Sequence, residues 1–212
     1  MKGIFTYNAD IEKTAYLNWR MWHGETADNL WTMADSFASA TKIMIQAILD
    51  NNSDKKADAL IFPILFCIDH TIELYLKAIL REIETLGGLK PSVYKTHDIK
   101  ELFENMTGSI KKKEKETSGL GKCLKEVSTY IDELYGLIMD KNAENKKERL
   151  KIDFARYPID TSGNEHFYIH INGNVVVDVE NLQARFKGME DSLKGLFYQY
   201  QAELEEKAQS HD

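Results

Sequence analysis

Four ionisable side chains close the first half of LIFPILFCIDHTIELYLKAIL, residues 60–80: Asp69, His70, Glu73 and Lys77. Asp69 to Glu73 and Glu73 to Lys77 are four apart, and His70 to Glu73 is three apart, spacings that bring side chains together on a helix. Nine apolar or proline residues, Leu60 to Ile68, lead into them. So apolar a helix belongs mostly to a core, where unpaired charge is costly, and the stripe therefore points to a polar cleft. There His70 would act as acid or base, with Glu73 and Asp69 accepting hydrogen bonds and Lys77 binding. The competing reading is a partly solvated face held by a Glu73–Lys77 pair worth about 0.2–0.5 kcal/mol.

Other residues could join this chemistry. In Thr96-His97-Asp98, His97 could reach His70 and Asp98 could bind a metal, although Asp98 with Glu101 also reads as a helix N-cap. In FARYPID, 154–160, Arg156 precedes the rigid Tyr157-Pro158 pair. Its guanidinium suits a carboxylate or phosphate, or would pin the loop to Glu73. The catalytic candidates are thus His70, Glu73, His97 and Arg156; Asp69, Lys77 and Tyr157 are the binding candidates. His166 and His170 alternate along a β-prone run and read as exposed strand residues. No phosphate-binding glycine loop, nucleophile elbow or HExxH is present, and no cofactor or resident metal is expected.

The elements that must position these groups are mainly helical. Residues 9–22 carry aromatic weight in Tyr16, Trp19 and Trp22 and read as a short helix ended by Gly24. A longer helix follows over about 25–50, with Leu30, Met33, Phe37, Met44 and Ile48 on its apolar face. The central helix spans about 57–86, with Pro63 in its first turn or kinking it, and Gly87-Gly88 closing it. IKELFENM forms a short helix, KKKEKETSG at 111–119 a solvated loop, and 119–141 a further helix with Leu124, Val127, Ile131, Leu134 and Ile138 on one face. Around Asn172-Gly173, HFYIHINGNVVVDVE predicts a β-hairpin at about 166–179. A last helix over about 180–207 carries the seam Leu182, Phe186, Met189, Leu193, Phe197, Tyr200 and Leu204, which packs on the bundle or on a second copy. The fold class is all-α: a single domain over 1–212, four to six helices in a bundle, with the small hairpin appended.

Composition sets limits on function. A net charge of −7 argues against non-specific coating of nucleic acid, which needs a basic footprint, while leaving room for a local basic patch. Two cysteines, Cys67 and Cys123, suggest neither a zinc site nor a disulfide framework. Cys67 reads as a small core residue and the tryptophans Trp19, Trp22 and Trp31 as core or dimer contacts. No apolar signal region opens the chain, and the longest uninterrupted apolar run falls short of the roughly 18 residues of a membrane span. A cytoplasmic protein without membrane contact is expected.

The order of three motifs resembles a known family. IDHTIELYLKAIL looks like the helix of HEPN-type domains, where a polar His-x-x-Glu stripe is followed by Lys and small apolar residues. THDIKELF resembles the short His-Asp-Leu helix that commonly comes next, and FARYPID is similar to an Arg-Tyr-Pro segment of HEPN-like proteins. These motifs cover 57–105 and 154–160. The resemblance implies a helical bundle, often a homodimer, acting in a defence or toxin–antitoxin type system. It implies metal-independent RNA cleavage or a non-catalytic relative, with RNA or a nucleotide as partner. The family's ribonuclease motif, an Arg followed four to six residues later by His, is absent: Arg156 lies ten before His166 and Arg20 three before His23. Two other classes compete. An HD-type metal-dependent phosphohydrolase would use His70, His97-Asp98 and Asp132 or Asp140. A non-enzymatic module would bind a partner protein or itself through 182–204.

Overall fold

The computed structural model describes residues 2–24, 26–90, 92–138 and 174–210. Among them the regular structure is helical: α1 (Thr26–Asp50), α2 (Lys56–Leu86), α3 (Ile99–Lys113), α4 (Leu120–Cys123), α5 (Lys125–Ile138) and α6 (Val179–Gln209), preceded by one 3-10 turn at Ile11–Lys13. The protein is an all-α bundle, as the residue pattern predicts.

Helix α2 is the centre. It packs against α1, α6 and α3, and Ile68, Ile72, Tyr75, Leu76, Ile79 and Leu80 are fully or almost fully buried. Among the described helices α2 alone is long and apolar enough to cross a membrane, by length and composition. Here that apolarity faces neighbouring helices. Its start has an unusual cap: Lys55 takes the left-handed conformation (φ 58°) with no side-chain cap of its own. Asn52 and Asp54 supply the missing acceptors, for the amides of Ala57 and Lys56. Pro63 sits deeper than the first turn, exposed on the outer face within the helix, so of the two expected alternatives, first turn or kink, the first is not the one observed. At the other end Gly88 (φ +69°) makes the turn that glycine alone adopts cheaply. The Leu89 amide bonds the Glu84 carbonyl and the Gly88 amide that of Thr85, a Schellman closure.

Helix α1 lies along α2, but on a different line from the one predicted. Its deepest residues are Ala34, Ala38, Thr41, Ile45 and Ile48. Leu30, Phe37 and Met44 flank that line half-buried, and Met33 is exposed. The small side chains at 34, 38 and 41 are sealed in the core, and Phe37 meets His70 of α2 edge-on.

The seam of α6 is buried within the protomer: Leu182, Phe186, Met189, Leu193, Phe197 and Tyr200 all join the core, with Leu204 at its margin. Of the two partners foreseen for it, the bundle is the one observed. Asp178 caps the helix at the amide of Asn181.

Several expectations need correction. Residues 9–22 form no helix beyond the 3-10 turn. Asn29 of α1 takes both the amide and the carbonyl of Trp22 with its side chain, and Gly24 (φ +90°) turns the chain, so the segment is tied down in a non-helical path. Trp19 and Trp22 are exposed; Trp31 alone reaches the core, stacked on Phe197. Cys67 is only partly buried. Helix α3 runs on through the three lysines at 111–113, which suit a helix C-terminus electrostatically, and Lys113 bridges to Glu203 of α6. The next predicted helix is two, α4 and α5, meeting at buried Leu124. The β-hairpin is not supported. Residues 174–178 have no strand structure and Val179 already belongs to α6. The Asn172-Gly173 turn and the strand with His166 and His170 lie outside the described residues.

Candidate functional site

Glu73 is the hub on which the candidate residues converge. It sits on the buried side of α2, 3% exposed. Lys77, one turn on, donates to Oε1 at 2.7 Å. Nδ1 of His97 lies 2.9 Å from the same oxygen, and Nδ1 of His70 lies 3.5 Å from Oε2. Burial alone would raise this carboxyl. Hydrogen bonds from His70 and Lys77 and the charges of Lys77 and His97 outweigh it and hold Glu73 down at about 2. The site therefore has a buried carboxylate that is ionised at neutral pH.

His97 is placed by the capping network that opens α3. Asp98 accepts from the amides of Lys100 and Glu101, both at 3.0 Å. Thr96 accepts from the Asp98 amide and donates to Glu101. With the residues on either side so fixed, the His97 ring is set over Glu73. Its side chain remains 66% exposed. Nδ1 is engaged by the carboxylate, which leaves Nε2 for solvent or a ligand.

His70 is held differently. Phe66 stacks on it at 5.7 Å and Phe37 meets it edge-on at 4.6 Å. Its side chain is 25% exposed. The aromatic contacts limit ring rotation, so His70 lines the wall of the site with one edge toward Glu73.

Asp69 belongs to a separate contact. It is fully buried and accepts a hydrogen bond from Tyr130 of α5 at 2.6 Å. Tyr135, also on α5, donates to Asp98. Neither tyrosine was singled out from the sequence. A second polar cluster also went unread: Glu190 of α6, 5% exposed, receives Lys42 of α1 and Lys194, and Lys194 also reaches Asp35. Only the i,i+4 spacing of Glu190 and Lys194 could have signalled it.

The structure thus brings together His70, Glu73, Lys77 and His97, and sets Asp69 aside. Arg156 and Tyr157 lie outside the described residues. Among the described residues the metal-ligand set of the phosphohydrolase reading is not assembled: Asp98 is occupied by its cap and by Tyr135, and Asp132 is an exposed neighbour of Lys100. Among the described residues no group of three or more His, Cys, Asp or Glu is arranged to hold a metal ion. Asp140 lies outside them. No protein-family model, curated protein or solved structure matches this chain.

Proposed function

We propose that this chain is a HEPN-like helical protein that acts on RNA through a His97–Glu73 proton-transfer pair. The observation that supports the reading is the contact itself: an exposed imidazole bonded through Nδ1 to a buried, ionised carboxylate. A histidine so held presents Nε2 as a general base, and the carboxylate fixes its tautomer and stabilises the imidazolium that forms. Lys77 keeps Glu73 ionised.

In the proposed reaction Nε2 of His97 takes the proton of a ribose 2′-hydroxyl. The 2′-oxygen attacks the adjacent phosphorus, the bond to the 5′-oxygen breaks, and the leaving oxygen takes a proton from solvent. The products are a 2′,3′-cyclic phosphate and a 5′-hydroxyl. Arg156, by residue type, is assigned to the charge that develops on the phosphoryl oxygens, and Tyr157 to binding. A cytoplasmic homodimer in a defence or toxin–antitoxin type system is the setting the resemblance suggests.

The test is RNA incubated with the wild type and with His97→Gln, with the folded state of both followed by circular dichroism. Loss of cleavage and of cyclic-phosphate ends in the variant alone is expected. Equal cleavage by the two proteins removes the role assigned to His97, and no cleavage by the wild type on any RNA tried removes the enzyme reading. In that case a non-catalytic binding module is favoured, for a specific reason: Glu73 is already saturated by Lys77, His70 and His97, as a structural ion cluster would be.

A further inference from the structure

Helix α5 touches both halves of the site without containing any of its candidate residues. Tyr130 donates to Asp69, one helical turn before Glu73 on α2. Tyr135 donates to Asp98, the residue after His97 at the start of α3. The contact between Glu73 and His97 spans α2 and α3, and these are the two helices that the tyrosines join.

The two attachments differ in kind. Asp98 is shared by Tyr135 and two backbone amides, three donors on one carboxylate. Asp69 is 0% exposed and has Tyr130 on Oδ1, while Oδ2 is buried without a hydrogen-bond partner. A buried carboxylate with one oxygen unpartnered is costly when charged and far less so as the neutral acid.

We propose that α5 is a two-point clamp on the Glu73–His97 pair, shut at the Asp69–Tyr130 attachment while Asp69 is uncharged and loosened when that carboxyl loses its proton. The clamp would regulate the site assigned above and rests on that assignment. The groups bearing on Asp69 are Glu73 on its own helix and Tyr130 and Tyr135 from α5, with Arg185 of α6 acting on Tyr130. Burial pushes Asp69 up to about 7; the Tyr130 hydrogen bond opposes the rise, and the charge of Glu73 adds to it. Tyr130 itself is raised well above its ordinary value, first by burial and then by Asp69, with Arg185 opposing, so it remains a donor throughout. Ionisation then places a charge against a donor-poor wall, where the single Tyr130 hydrogen bond does not offset burial, and local opening of α5 relieves it.

The experiment is NMR on wild type carrying 13C-labelled aspartate carboxyls, with hydrogen exchange of α5 amides corrected for the intrinsic pH effect. A carboxyl midpoint between about 6 and 8 is expected for Asp69, and protection of α5 should fall about tenfold over the same range. The nitrogen signal of hydrogen-bonded His97 Nδ1 should weaken with it. In Asp69→Asn, whose amide oxygen still accepts from Tyr130, α5 protection should stay level. A midpoint near 4 for Asp69, or α5 protection that ignores the titration, overturns the clamp. The wild-type titration decides the matter even if Asp69→Asn does not fold. None of these readouts uses RNA, so a clamp that titrates while His97→Gln leaves cleavage intact would refute only the function.

Discussion

Nδ1 of His97 lies 2.9 Å from Oε1 of Glu73, across 24 residues of sequence and two helices. The carboxylate is sealed while the imidazole is mostly exposed, so the two positions should respond differently to substitution. Glu73→Gln leaves the Lys77 ammonium, 12% exposed, without its charged partner. It should cost about 3–5 kcal/mol in urea unfolding. His97→Gln should cost under about 1 kcal/mol, because its ring is largely solvated. On RNA the order should invert, His97→Gln lowering cleavage about 10²–10⁴-fold with the fold intact.

Opposite pKa shifts give stability a peak in acid. Glu73, held at about 2, contributes stability that is present above its ordinary carboxylate value and is lost as pH falls toward 2. Asp69, pushed to about 7, keeps its proton in the fold where the unfolded chain has lost it. Stability from this group therefore falls from about pH 4 to 7, by up to about 1.4 kcal/mol per pH unit, and levels off above. Asp69→Asn should remove that fall, and Glu73→Gln should remove the acid-side rise. Unfolding curves taken at each pH would check both.

Tyr130→Phe takes away the only hydrogen bond that Asp69 receives among the described residues. The loss should be about 1–3 kcal/mol at neutral pH. Combined with Asp69→Asn it should be smaller, since no charge is then stranded; a double-mutant cycle measures the difference.

Lys194 joins α1 and α6 by bonding both Asp35 and Glu190. Lys194→Met should destabilise by about 3 kcal/mol, because among the described residues Glu190 keeps only the half-exposed Lys42 as a cation. Recovery at high salt would show that repulsion between the two acids carries part of the loss.

Close packing around α1 can be probed at Ala38, which is fully buried. Ala38→Leu should cost about 1–3 kcal/mol by overpacking. Met33→Ala, on the exposed flank, should change little; thermal unfolding would rank the two.

What could be read from residues alone follows a physical division. Local periodicity marked α2 and α6 to within a residue or two, because their apolar faces repeat over many turns. Asp98 was legible as a cap because capping is decided within three residues. On α1 the same method chose large side chains, of which Ile48 is buried, and missed Ala34, Ala38 and Thr41, small residues whose burial depends on how close the neighbouring helices come. For 9–22, aromatic content suggested a helix, and two hydrogen bonds from Asn29 decide otherwise. At the site, Glu73, Lys77 and His70 share one helix and were legible as a group. Tyr130 and Tyr135 meet their carboxylates only through tertiary folding, 61 and 37 residues away, so no spacing rule could name them.

The position of α6 against α2 has a consequence for the chain during synthesis. Helix α2 is the most membrane-like stretch among the described residues, and α6, one of its main covers, is translated only after the whole interval 87–178 has been synthesised. Through that interval Tyr75 and its apolar neighbours lack part of their permanent cover. A nascent chain stalled before Val179 should thus be a client for holdase chaperones, and completion of α6 should release it.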